Sequence, residues 1–267
     1  MSCPACFQGF VHDGEPRGYM GQLGELPAYF ASPANVGESK AKGVVLLLTD
    51  IFGVSFVNNR LLADTIAANG LYVIVPDILA GSPVSPDALS FMESERGGIL
   101  GGLNFVGGLL WNAPSIIGWM RAHGDDVTLP LVSAAAASAR TFADEKGLKL
   151  GASGYCFGGR YAAMLAGPAG VIDAVSLVHA SSTTKEQLAA MTKPTLFAVP
   201  EKEFMLTPKL AEAALNAIAD KPDCKGSRLI VYEGVGHGFA CRGGPSTTTL
   251  RAKCAADVAA FFEETLC

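Results

Sequence analysis

Residues 147–166 restrict the possible folds more than any other part of the chain. Residues 147–153 read as a short strand, Gly154-Tyr155-Cys156-Phe157-Gly158-Gly159 as a tight turn, and residues 160–166 as a helix. A residue wedged between strand and helix is forced into a sharp, strained conformation. Glycines two positions before and after it let neighbouring backbones come close, so its side chain stands at the end of a sheet over a helix N-terminus. This is the layout of a nucleophile elbow, here with the thiol of Cys156 at its tip. The backbone N–H groups of a helix N-terminus favour both a thiolate and a developing oxyanion.

An elbow needs a sheet around it, and the remaining sequence has the matching pattern. Residues 19–32 read as an antiparallel strand or hairpin, and 33–42 as a polar connection. The apolar run at 44–48 has the character of a central strand, followed by the loop Asp50-Ile51-Phe52-Gly53. Helical spacing at Leu61, Leu62, Ile66 and Ala67 ends at Gly70, a C-cap residue. Residues 71–75 are the next buried strand. A helix at 131–146 leads into the elbow strand, and helices at 207–219 and 246–266 follow. Strands alternating with helices at this spacing predict an α/β fold, with a mostly parallel central sheet and helices on both faces. The expected organisation is one domain over residues 1–267, with an N-terminal arm of about residues 1–18 and a Gly-rich insertion at about 81–120.

An elbow of this type expects its acid and then its histidine downstream. His237 lies in Gly234-Val235-Gly236-His237-Gly238-Phe239, a glycine-flanked loop after the strand signal at 227–232, where a general base belongs. The acid should follow the strand at 195–199, and the loop there offers Glu201 and Glu203. Glu203, just before an apolar stretch and Pro208, is the choice, with Glu201 the alternative. Glutamate orients a histidine as aspartate does. His12 in the arm, His123 before a turn, and His179 at the end of the strand signal at 171–178 read as structural. Among these, His179 has the position closest to the crevice.

Composition excludes several classes. A net charge of −5 with no basic cluster leaves no electrostatic footprint for nucleic acid. The N-terminal residues lack the charged and apolar regions of a secretory signal, and seven scattered cysteines fit reduced thiols in the cytosol. A cytoplasmic protein with no cofactor is expected. Cys3, Cys6 and His12 do not complete a four-ligand zinc site, so no metal is expected either. The apolar stretch at 97–120 is long enough for a bilayer but is broken by glycines, Asn104, Asn112 and Pro114, so it reads as an insertion near the site and not a membrane span.

Taken together, Cys6, Phe7, Gly9, His12, Gly14, Gly18, Asp50-Ile51-Phe52-Gly53, Ala63-Asp64, Pro76-Asp77, Trp119, Gly154 to Gly159, His237-Gly238-Phe239 and Arg242 resemble the dienelactone hydrolase family of α/β-hydrolases, most closely its fungal cytosolic branch. The resemblance runs nearly end to end and implies an α/β-hydrolase fold. Its cysteine–aspartate–histidine triad carries over to Cys156 and His237, with Glu203 at the aspartate position. The family geometry implies an oxyanion hole from the N–H groups of Ile51 and Phe157. Bacterial members place a glutamate near the resting thiol where this chain has Asp50. They also bind the substrate carboxylate with an arginine whose nearest equivalent here is Arg242.

These residues imply a cysteine-dependent hydrolase of activated esters or lactones, acting through an acyl-enzyme on Cys156. Thiolates expel stable enolates readily and simple alkoxides poorly, which favours activated substrates. Phe52 and Trp119 belong to the expected surroundings of the substrate, and Phe91, Phe105 and Trp111 of the insertion are candidates to cover it. The partner is then a small molecule, with the chain a monomer or homodimer. Two other classes compete: a cyclase, isomerase or lyase on a polyketide-type biosynthetic intermediate, using His237 and Asp50 for proton transfer, and a non-catalytic binding scaffold.

Overall fold

A computed structural model describes residues 9–33, 40–85 and 118–267. The apolar run at 44–48 forms strand β3 (Gly43–Leu48), buried at every position. Val44, Leu46 and Leu48 enter one core, and Val45 and Leu47 enter another on the opposite side. A strand apolar on both faces must have helices above and below it. The same holds for β4 (Leu71–Pro76), β5 (Leu150–Tyr155) and β6 (Ala174–Val178), all buried throughout. With β1 (Tyr19–Leu23), β2 (Leu26–Ala31), β7 (Thr195–Lys202) and β8 (Arg228–Gly236), they form an eight-stranded sheet in the order β1-β2-β4-β3-β5-β6-β7-β8. Strands β3 to β8 run parallel, while the β1–β2 hairpin adds an antiparallel edge beside β4. The expected mostly parallel sheet with helices on both faces is the observed one.

The helices include α1 (Val57–Ala67), α2 (Asp125–Glu145), α3 (Phe157–Leu165), α4 (Lys185–Ala190), α5 (Pro208–Ile218), α6 (Phe239–Arg242) and α7 (Thr248–Leu266). Helices α2, α3, α4 and α5 bury Ala135, Tyr161, Leu188 and Ala211 in the first core. Helices α1 and α7 bury Ile66, Val258 and Phe262 in the second. Among the described residues, no helix is long and apolar enough to cross a membrane.

Strand β4 lies on one side of β3 and β5 on the other, so the order in which strands are added to the sheet reverses at β3, while the strands themselves stay parallel. In open α/β sheets, the crevice at the strand C-termini of such a switch point receives the ligand. Here the loop after β3 meets the elbow after β5, with Leu48 in register with Gly154.

Several boundaries differ from the sequence reading, three of them near the site or at a proline. Helix α2 begins at Asp125 and not at 131, with Pro130 inside it. Proline removes one intrahelical hydrogen bond, and Asp125 and Asp126 in the first turn offset part of that loss by opposing the positive end of the helix dipole. Strands β7 and β8 each run beyond 199 and 232, to Lys202 and Gly236. Residues 34–39 of the polar connection, residues 86–117 of the insertion with Phe91, Phe105 and Trp111, and Cys3, Cys6 and Phe7 lie outside the described residues.

Of the N-terminal arm, residues 9–18 are held by buried polar groups of α1. Asn58 donates to the carbonyls of Phe10 (2.8 Å) and Cys241 (2.9 Å) and accepts from the His12 N–H (2.8 Å). The Arg17 N–H donates to Asp64 at 2.7 Å, and Asp64 also accepts the Tyr29 hydroxyl at 2.6 Å.

Candidate active site

Cys156 is the N-cap of α3, with φ 50° and ψ −111°. A non-glycine residue with positive φ is costly, and such strain persists only where its surroundings enforce it. The enforcement is steric. A Cβ at Gly158 would come within 2.2 Å of the Leu48 carbonyl oxygen, and one at Gly154 within 2.6 Å of the Ala162 Cβ. These two glycines let α3 press against β3 and β5, and the turn between them has to hold the strained conformation. The Gly158 N–H donates to the Thr49 carbonyl at 2.9 Å, which fastens the elbow to the loop after β3.

The Cys156 sulfur lies 3.1 Å from His237 Nε2, and His237 Nδ1 lies 2.8 Å from Glu203 Oε2. All three side chains are buried. Burial by itself pushes the His237 imidazole down, but the Cys156 sulfur and the Glu203 carboxylate outweigh it and push it up to about 10. Ser181 Oγ is 4.0 Å from the sulfur on a further side.

Strand pairing explains which glutamate meets the histidine. The β7–β8 ladder has an irregularity after Pro200 and then pairs Lys202 with Gly236, so the next residues, Glu203 and His237, emerge side by side. Glu203 turns inward, where its other oxygen accepts from the N–H groups of Phe204 (3.0 Å) and Met205 (3.2 Å). Glu201, two residues earlier, is exposed and accepts from the Gly234 N–H at 2.8 Å.

Ile51 and Phe157 stand on the two loops that meet at Cys156. Ile51, Phe52, Phe56 and Cys156 form a small apolar cluster, with Val84, Trp119, Phe157 and Met205 packed against it. Phe157 opens α3, so its N–H has no acceptor within the helix. Trp119 donates to the Ser82 carbonyl (2.8 Å), stacks on His123 (4.2 Å between centroids) and meets Phe157 edge-on at 5.5 Å.

Asp50 is held by Phe52, Asn59 and Arg242. One oxygen accepts from the Phe52 N–H (3.1 Å) and the Asn59 amide (3.0 Å), and the other pairs with Arg242. Both side chains of this ion pair are wholly buried, and the Arg242 guanidinium lies over the Phe52 ring at 5.2 Å. Arg242 thus sits inside the protein, tying α6 to the loop after β3. A buried pair of this kind holds position when fully hydrogen-bonded.

Asn58, Asn59 and Phe204 escaped the sequence reading. Asn58 and Asn59 open α1 directly after the Asp50 loop, and polar residues at a helix start usually signal capping, which hides their role as buried braces. Phe204 was passed over as part of the loop carrying the acid, yet its ring is 5.9 Å from that of His237. His179, read as structural, is buried between Tyr155, His237 and Phe239 with φ 37°. Burial, then the nearby His237 and Arg242, push its imidazole well below the ordinary range. His123 is tied to the Trp119 and Leu79 carbonyls. The His12 ring contacts the Gly243 carbonyl.

Comparison with known proteins gives the family and agrees with the fold. The family model described as "Dienelactone hydrolase family" matches residues 26–266. Hydrolase pyvD of Aspergillus violaceofuscus is 28% identical over 242 residues, covering 89% of this chain and 84% of its own. Hydrolase tropI of Talaromyces stipitatus is 28% identical over 246 residues, covering 91% and 86%. Among solved structures, a putative dienelactone hydrolase from Klebsiella pneumoniae superposes with a TM-score of 0.63 at 18% identity, covering 96% of each chain. With sheet, elbow and family match in agreement, the chain belongs to the dienelactone hydrolase family, and with it to the carboxylic ester hydrolases of the α/β-hydrolase superfamily.

Proposed function

We propose that the protein hydrolyses activated esters or lactones through a thioester on Cys156, with His237 and Glu203 completing a triad. The observation that carries this reading is the continuous contact from sulfur to imidazole to carboxylate, 3.1 Å and 2.8 Å, at a strained elbow. A histidine that keeps its proton to about pH 10 places a cation beside the sulfur and favours the thiolate.

The thiolate attacks the carbonyl carbon, and the C=O electron pair moves to oxygen, where the N–H groups of Ile51 and Phe157 receive the negative charge. Collapse breaks the bond to the leaving oxygen, which takes the His237 Nε2 proton, and a thioester remains. The neutral imidazole then removes a proton from water, the hydroxide attacks the thioester, and the acid leaves as the thiolate and imidazolium re-form. Glu203 holds the Nδ1–H tautomer throughout.

The competing proton-transfer reading needs Asp50 as an acid or base. Asp50 is occupied by Arg242, Asn59 and the Phe52 N–H, which speaks for hydrolysis. The relatives called hydrolases pyvD and tropI support the same choice, and the dienelactone hydrolase family match supports a small-molecule substrate.

The test is Cys156→Ala together with intact-mass measurement of the wild type incubated with activated esters. We expect a single acyl adduct on Cys156 and loss of turnover by a factor of at least about a thousand in the variant, with the fold retained. Full activity in Cys156→Ala refutes the reading.

A further inference from the structure

Glu203 joins the reactive centre to its surroundings. One oxygen orients His237, and the other accepts the N–H groups of Phe204 and Met205, so the backbone carrying Phe204 is fixed by the carboxylate that fixes the imidazole. Its neighbours Glu203 and Leu206 are 6% and 0% exposed, whereas the Phe204 side chain is left 53% exposed, with its ring 5.9 Å from the His237 ring and tilted by 51°. A large apolar ring held in water by a rigid backbone at a reactive site loses its exposure when a ligand covers it. Met205, the next residue, packs with Phe157 and Trp119 against the apolar cluster of Cys156. His237 Nε2 is the atom that hands a proton to the leaving group, and Phe204 is an exposed ring beside the same imidazole.

Building on the nucleophilic role of Cys156 proposed above, we infer that Phe204 is a specificity-determining residue that recognises an aromatic ring on the leaving group of an aryl or aryl-enol ester or lactone. The ring stacks or meets Phe204 edge-on as the carbonyl settles on Cys156. Aromatic pairs attract beyond the area they bury, which corresponds to roughly tenfold in binding.

Phenyl acetate and vinyl acetate provide the test, because both carry activated leaving groups and both give the same acetyl-Cys156, so deacylation is common to the two. In acylation, the acetyl group moves to sulfur, and phenol or the enol of acetaldehyde departs with the His237 proton. The wild type should favour phenyl acetate in kcat/KM. Phe204→Ala should lower kcat/KM for phenyl acetate roughly tenfold, mostly through KM, and for vinyl acetate by less than about threefold. Phe204→Trp should keep the preference. Equal losses on both esters in Phe204→Ala, with acetyl-Cys156 still formed, overturn this inference alone. Absence of acetyl from Cys156 of the wild type with both esters overturns the nucleophile reading and this inference with it.

Discussion

At residue scale, the two glutamates of one loop differ in a way their chemistry does not foretell. Glu203 is buried against His237, and Glu201 is exposed against the Gly234 N–H. Glu203→Gln keeps the shape but loses the charge and can present the wrong group to Nδ1, so kcat should fall at least about a hundredfold with KM little changed. Glu201→Gln should stay within about twofold. Steady-state kinetics on one activated ester distinguishes them, and a larger loss in the Glu201 variant would transfer the orienting role to Glu201. The same contact makes stability depend on pH. His237 is raised from 6.5 to about 10, so the folded state binds a proton that the unfolded chain releases earlier. Its contribution is fully present below pH 6.5 and is lost as pH rises through about 10. NMR titration of the His237 ring in the folded protein should therefore show its proton lost near pH 10 and not near 6.5. A ring that titrates at 6.5 or below would mean that His237 is neutral in the folded protein at pH 7.

At element scale, the central strands and the elbow were legible because their signals are local. The run at 44–48 and the glycines around Cys156 dictate burial and close approach without help from distant residues. The ends of β7 and β8 were not legible. Pro200 reads as a strand terminator, and Gly234 and Gly236 read as loop. The two strands nevertheless continue, because an irregularity between Pro200 and Lys202 restores pairing with Gly236. That extension brings Glu203 and His237 together, so the identity of the acid depended on a ladder that no local propensity reports. Helix α2 is the converse case, read as starting at 131 and beginning at Asp125 with Pro130 inside, since burial of Thr128 before the proline and of Val132, Ala135 and Ala139 after it supports the turn on either side.

At the scale of the whole molecule, the site is braced from outside the sheet. Resemblance singled out Gly9, His12, Asp50 and Arg242 individually, but their shared purpose emerges only from tertiary contacts. The Phe10 N–H donates to the Arg242 carbonyl at 2.9 Å, and a Cβ at Gly9 would come within 2.3 Å of the Arg242 Cβ. Arg242 in turn holds Asp50 and so the loop bearing Ile51. Asn58 links the arm, α1 and α6 through Phe10, His12 and Cys241. In Asn58→Ala these buried partners lose their hydrogen bonds, at a cost on the order of 1–3 kcal/mol for each one left without a substitute. Asn69→Ala, on the exposed end of the same helix region, should change stability by about 0.5 kcal/mol or less. Urea unfolding of the two variants gives the comparison. Because Asn58 touches neither Cys156 nor His237 through its hydrogen bonds, any loss of turnover in Asn58→Ala at low denaturant should appear in kcat through a displaced oxyanion loop. Acylation of Cys156 should remain detectable by mass. A variant as stable as the wild type would show that the arm is held without Asn58 and that the bracing lies with Asp64 and Tyr29.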